Sequence, residues 1–286
     1  MRFAVVGLAL GVSLLLAGAQ RVGLLGCGEV SRDNAYRDAL IAQGLTVAWT
    51  TPYYEFNTAS LLQHCDVVML APVQNYYDMP VAGQWALESW VQGGGGLVTV
   101  EWTLWSRANG NLFTGLRDLL PASATRFHQQ REVRYTLRIH DPILSAGLAA
   151  SLTLGLLREA RIQARTGATV FYASDYASDS AGVVGWQVVE GRVISLSVAP
   201  GAVSGAELTN PVVARLLANA VRWAAGDACA PTQGDANRDG CVDDADLLAV
   251  LFAFGATGAN DSDVNCDGVV DDADLLEVLF QFGAGC

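Results

Sequence analysis

The chain has no lysine: all seventeen of its basic residues are arginine. Beyond residues 1–19 it has no apolar run long enough to cross a membrane. It lacks a phosphate-binding loop too. The glycine run at 93–96 precedes a strand pattern rather than a helix, and no lysine follows it. Positive charge is nearly missing from the C-terminal end. From Cys229 onward, twelve Asp and Glu face one Arg, so this stretch holds almost all of the net charge of −12. Such an acidic segment repels phosphates, which excludes nucleic acid as a partner. It suits hard cations.

What is present starts with an export signal. Arg2 precedes an apolar stretch at 3–16, and Ala17 and Ala19 flank a cleavage point before Gln20. Residues 1–19 are therefore expected to be a signal peptide, and the protein to be secreted or held at the cell surface with no membrane span after cleavage. The residue directly after the cleavage point is Gln20 and not cysteine, which argues against a lipid anchor. Export permits disulfides. Cys229, Cys241, Cys266 and Cys286 lie close together in sequence and allow three pairings. The reading leans to Cys229–Cys286, which would clamp the ends of the segment, with Cys241–Cys266.

With 286 residues, 51% of them hydrophobic, the chain suits two folded parts. Residues 20–226 alternate strand and helix patterns. "RVGLLG", "LTVAWT", "DVVMLAP" and "GLVTVEW" are strand-like, and the helical stretches at 34–44 and 81–94 stop at glycines. The alternation predicts an α/β fold with a parallel, flavodoxin-like sheet and helices on both faces. "REVRYTLRIH" reads as a strand with one wet face, and 183–199 as a hairpin. Residues 210–226 carry Asn as cap, Pro in the first turn and Gly as stop. Residues 227–234 read as a linker.

Residues 235–286 carry a repeat. "GDANRDGCVDDADLLAVLFAFG" (234–255) and "SDVNCDGVVDDADLLEVLFQFG" (262–283) match at sixteen of 22 positions. The oxygen spacing is that of a twelve-residue calcium loop, with donors at positions 1, 3, 5, 7, 9 and 12 and a glycine at 6. The first set is Asp235, Asn237, Asp239, the carbonyl of Cys241, Asp243 and Asp246; the second is Asp263, Asn265, Asp267, the carbonyl of Val269, Asp271 and Asp274. An all-oxygen set suits calcium and not zinc, so two calcium ions are expected. Each loop leads into one helix, and Pro and Gly before it leave no room for an entering helix.

This duplicated half-hand, with Asp in place of Glu at position 12, resembles the type I dockerin module over about 50 residues. The resemblance implies a small, mainly α, calcium-bound module that plugs into a cohesin-like protein and tethers what precedes it to a scaffold or cell surface. The positions where the family contacts its partner hold Asp244–Ala245 and Asp272–Ala273 here. Leu247, Leu251 and Phe254 share one helix face, and Leu248 and Phe252 another; the second repeat copies both. One face must form the module's core. Leu248, Phe252, Leu276 and Phe280 then present a candidate partner surface, or pack on the rest of the chain.

The larger part, through "DVVMLAP", "ALESWVQGGGGLVTVEW", "HDPIL" and "GRVISLSVAP", resembles the class I glutamine amidotransferase-like fold in its trehalose-utilisation-like branch. Amidotransferases of that fold place a nucleophilic cysteine on a Gly-x-Cys-x-Gly elbow, with a downstream His and Glu. The matching stretch here is "VTVEWTLW", and His64, His128 and His140 form no His-x-Glu pattern. The reading is therefore of a non-catalytic domain. Glu101 and Glu207 are the candidate acid or base of an alternative, an exported glycan-active hydrolase, and Cys27, after the first strand, is a separate candidate nucleophile. Trp49, Tyr53, Tyr54, Tyr76, Tyr77, Trp102 and Trp105 follow successive strands, where ligands of parallel sheets sit. Flat rings near a few polar groups suit carbohydrate.

Overall fold

The computed structural model describes residues 20–73, 77–226, 232–237, 239–257, 260–265 and 269–286. The expected signal peptide lies outside the described residues. The chain begins as β1 (Arg21–Gly26), α1 (Val30–Ala42), β2 (Thr46–Pro52), β3 (Val67–Leu70), α2 (Val81–Gln92), β4 (Gly96–Thr99) and α3 (Glu101–Asn109). It continues through β5 (Ala122–Leu137), β6 (Ser151–Ala164), β7 (Thr169–Ser174), β8 (Ala181–Val188), β9 (Gly191–Leu196), β10 (Val198–Ala199) and α4 (Pro211–Ala225). The strands join in one sheet of order β10-β6-β5-β7-β8-β9-β4-β3-β1-β2.

The flavodoxin-like parallel sheet expected from the sequence is not what forms. Strands β5 to β8 and β10 pair antiparallel. β6 also reaches β8 through Ile162 and Ala181, so β5, β6, β8 and β7 close on themselves as a small antiparallel barrel. The reason is the length and connection of these strands. β5 and β6 are sixteen and fourteen residues long, and their pairing is interrupted between Ala124 and His128 and between Val133 and Arg134. Such irregularities bend and twist a strand, which long strands need in order to close. Close-spaced β7, β8 and β9 are joined by short turns, and strands joined that way run antiparallel. The βα alternation of the first hundred residues carries no information about this half.

β3 and β4 are wholly buried; β3 is an unbroken apolar run, and the one polar side chain of β4, Thr99, shares a hydrogen bond with Ser195. Two apolar clusters flank this region. One holds Tyr36 and Leu40 of α1 with Leu216, Leu217 and Val221 of α4. The other holds Leu87 and Val91 of α2 with Tyr53, Phe56 and Phe113. α4 follows its sequence signals: the Asn210 side chain accepts the Val212 N–H, and Gly226 ends the helix in the left-handed region at φ +81°.

The C-terminal repeats fold alike. α5 (Asp244–Ala253) and α6 (Asp272–Gln281) start from Asp243 and Asp271, whose backbone angles agree within a degree, and both have reciprocal capping boxes. Val242 exchanges backbone hydrogen bonds with Gly283 and Ala284; Val270 does so with Gly255 and Ala256. Each loop is thus tied to the exit of the other helix. The core between them holds only Val and Ala: Ala236, Val242, Val250, Val264, Val270 and Val278.

That pairing brings the C-terminus beside the first loop, and Cys241 bonds to Cys286. The expected Cys229–Cys286 and Cys241–Cys266 pairs are therefore both replaced; Cys229 and Cys266 lie outside the described residues. Cys27 and Cys65 are buried and form no disulfide among the described residues.

Candidate functional site

The acidic loops come first, since they hold the densest charge. In loop one, Asp235 Oδ2 accepts the Gly240 N–H at 3.1 Å. Gly240 sits at φ +93°, which a side chain would strain. Asp246 reaches back over the loop: Oδ1 accepts from Asn237 N at 2.9 Å and Oδ2 from Asp243 N at 2.9 Å. Asn237 and Asp239 are exposed; Asn237 Oδ1 accepts from Asp239 N, and Asp239 Oδ1 from Cys241 N. In loop two, Asp274 accepts from Asn265 N at 3.2 Å and Asp271 N at 2.9 Å. Asp267 and Gly268 lie outside the described residues. Val269 forms a bridge with Thr257.

Asp235, Asp246, Asp263 and Asp274 are all buried. Among the described residues Asp246 and Asp274 make no ion pair. Burying a carboxylate is costly unless charge or hydrogen bonds offset it. The donor set is all oxygen, which fits a hard divalent cation. Among the described residues, however, no three His, Cys, Asp or Glu side chains converge as a metal-binding group. The carboxylates accept the loop's own amides instead.

The helices that follow expose what a core would normally bury. Leu248, Leu251, Phe252 and Phe254 are exposed, and so are their equivalents Leu276, Leu279, Phe280 and Phe282. Phe252 is 87% and Phe280 79% exposed. The sequence places Leu251 and Phe254 on the face that forms the core. They lie outside it because Val250 and Val278 fill the core, against which only Leu247 and Leu275 of the Leu and Phe side chains pack among the described residues.

In the α/β part, the strand-to-helix turn after β4 holds Glu101 as the first residue of α3. Glu101 is fully buried, and its Oε1 lies 3.2 Å from His128 Nδ1 on β5. Its Oε2 has no hydrogen-bond partner among the described residues. Burial pushes the Glu101 carboxyl above the usual range, with His128 and Arg158 pulling it back. The His128 ring stacks on Trp105 at 4.2 Å, and Trp105 on Trp102 at 5.3 Å. Trp102 is buried, and the Trp105 indole N–H donates to Arg126 O.

Behind it lies a second buried acid. Glu159 of β6 accepts from Ser174 Oγ at 2.5 Å, Ser197 Oγ at 2.8 Å and Arg131 Nη1 at 2.6 Å. Tyr135 OH shares a hydrogen bond with Ser197, and Arg131 continues to Asp175. Burial raises Glu159, opposed by Ser174, Arg131 and Ser197. Neither His128 nor Glu159 was singled out from sequence. They lie on antiparallel strands far along the chain from Glu101, and no local motif joins them.

The other candidates have structural partners. Glu207 Oε1 accepts the backbone N–H of Val203 and Ser204, shaping that turn. Cys27 follows β1, and burial pushes its thiol up to about 11, so little thiolate forms near neutrality. Trp49 stacks on Phe56, and its indole N–H donates to Leu61 O. Tyr53 is buried with its hydroxyl donating to Tyr77 O, and Tyr54 contacts both rings. Asp78 accepts from Gln84 and Phe113 N. Most of these rings hold loops down; Tyr77 is 65% exposed. Tyr76 lies outside the described residues.

No protein-family model matches the chain, and no curated protein matches it in sequence. Solved structures do. A cytoplasmic protein of Salmonella typhimurium is 10% identical with a TM-score of 0.54, over 72% of this chain and 98% of that one. A ThuA-like protein of Bacteroides uniformis is 14% identical, TM-score 0.55, over 72% and 91%. The β-galactosidase of Bacillus circulans is 18% identical, TM-score 0.50, over 71% of this chain but 30% of that one. At such identities the likeness is one of fold, and most of this chain follows the backbone seen in ThuA-like proteins.

Proposed function

We propose that the protein is a secreted or surface-held α/β domain, related to the trehalose-utilisation-like branch, carried on a calcium-dependent dockerin-like module that docks a cohesin-like protein. One observation carries the reading: a small module buries four aspartates and a core of Val and Ala, yet exposes eight Leu and Phe side chains on its two helices. Buried acids call for a cation, and an apolar surface rimmed by acid calls for a protein partner. Asp235, Asn237, Asp239, Asp243, Asp246 and the Cys241 carbonyl would hold one ion, and the matching residues of loop two the other. Calcium would neutralise the carboxylates and fix the helices.

The α/β domain is proposed to be non-catalytic, with carbohydrate as a candidate ligand near exposed Tyr77. Glu207 already shapes its own turn, burial disfavours the Cys27 thiolate, and Glu101 is sealed from solvent. The decisive experiment is capture of the full chain by a cohesin-like partner, with and without chelator. Capture that ignores both the chelator and Phe252→Ser/Phe280→Ser rejects the docking reading.

The alternative, a glycan-active hydrolase, has the Glu101–His128 pair in its favour, because a carboxyl favoured in its neutral form is suited to proton donation. Polysaccharide cleavage that Glu101→Gln abolishes would establish it.

A further inference from the structure

The far end of α3 borders a feature that neither reading uses. A cavity of about 310 Å³ lies among Leu104 and Arg107 of α3, Arg117 and Leu120 of the connection to β5, Ser123 of β5, and Arg165 beyond β6. Its described lining carries three guanidinium groups and no acid, in a chain whose net charge is −12. Leu104 and Leu120 are buried and give it an apolar floor.

The three arginines are not equivalent. Arg165 is held in place: Nη1 donates to Arg117 O at 2.7 Å and Leu120 O at 3.1 Å, and the guanidinium lies 5.0 Å from the Trp186 ring centre. Arg117 pairs with its neighbour Asp118 at 3.0 Å, with both side chains exposed, and the same carboxylate lies 3.8 Å from Arg165 Nη2. Arg107 makes no hydrogen bond or ion pair among the described residues, and its Nε is buried without a partner. A buried charged donor without an acceptor is unfavourable, and an incoming anion relieves that.

We propose that this cavity binds a small organic anion, with Arg107 taking its carboxylate or sulfate group and Leu104 and Leu120 lying beneath its apolar part. A guanidinium presents a planar fork that matches such groups. The volume sits at the small end of ligand pockets, which fits a body the size of one sugar ring rather than a polymer chain. The site stands on the α/β domain alone and is independent of the docking reading.

The test is calorimetric titration of the full chain with glucuronate and glucose 6-sulfate at millimolar concentration, with glucose as the uncharged control. At least one anion is expected to bind, and which one distinguishes carboxylate from sulfate. Arg107→Gln is expected to weaken that binding about tenfold or more. Arg117→Gln, at an exposed position, serves if Arg107→Gln does not fold, and should weaken binding and its salt dependence. Absence of binding by both anions, equal binding of glucose, or undiminished binding by a folded variant overturns the proposal.

Discussion

The two regions of this chain differ in what fills their interiors. The α/β domain buries Trp102, Tyr36, Tyr135, Phe113 and many leucines, with Glu101 and Glu159 enclosed among them. The C-terminal module buries aspartates with Val and Ala, and leaves most of its Leu and Phe exposed. The first is held by removal of large apolar surface from water, at roughly 25 cal/mol per Å². The second has too little of that surface to fold on burial alone, as expected of a domain this small. Its buried Asp235, Asp246 and Asp274 are held by the amides of their own loops, and its disulfide supplies a staple. The lesson is that composition can assign different stabilising forces to two parts of one chain.

The contrast can be broken experimentally, and the largest effect is expected from calcium. In the full chain, chelation should lower the melting of the module and leave that of the α/β domain in place. The stabilisation lost is about 4 kcal/mol for each ion held a thousandfold above its dissociation constant. Identical melting curves and circular dichroism with and without chelator would end the calcium reading. The reciprocal perturbation is Leu24→Ala, at a fully buried site, which should cost the α/β domain about 2–5 kcal/mol. A shift of the module's transition by the same variant would contradict its independence.

Cys286→Ser opens the Cys241–Cys286 bond, which spans 45 residues, and should cost about 2–4 kcal/mol, all of it in the module. Retention of the module's melting point after reduction would remove the staple from the account. A smaller effect belongs to Glu101. Its folded carboxyl lies above the ordinary range because of burial, so its stabilising contribution is present at low pH and falls as pH rises through the folded value. Glu101→Gln should therefore gain on the parent as pH rises above the ordinary carboxylate range of about pH 4, measured by denaturant titration at each pH. A gain that stays flat with pH counts against it. The smallest change in stability is expected for Phe252→Ser/Phe280→Ser: within about 0.5 kcal/mol, accompanied by loss of partner capture.

Much of the candidate metal region was legible in sequence because its parts are near neighbours. Asp235, Gly240 and Asp246 lie within one twelve-residue loop, and the repeat showed the same spacing twice. The capping boxes at Asp243 and Asp271 are equally local. The Leu and Phe faces were only half legible. Periodicity groups Leu251 with Phe254, but which face turns inward depends on Val250 and Val278 meeting across the module. In the α/β domain, the Glu101–His128 contact and the Glu159 network join residues on α3, β5, β6, β7 and the junction between β9 and β10. No spacing rule connects them.

The residues alone therefore determined the short-range features: strand and helix signals, the N-cap at Asn210, the acidic loops and the place of the negative charge. These follow from backbone preferences and hydrogen bonds that close within a few residues. Tertiary structure alone decided that β5 to β8 close on themselves, that Cys241 meets Cys286, that His128 meets Glu101, and that three arginines face one cavity. Each depends on the free energy of bringing distant segments together, which is set by the whole packed molecule and not by any one stretch of it.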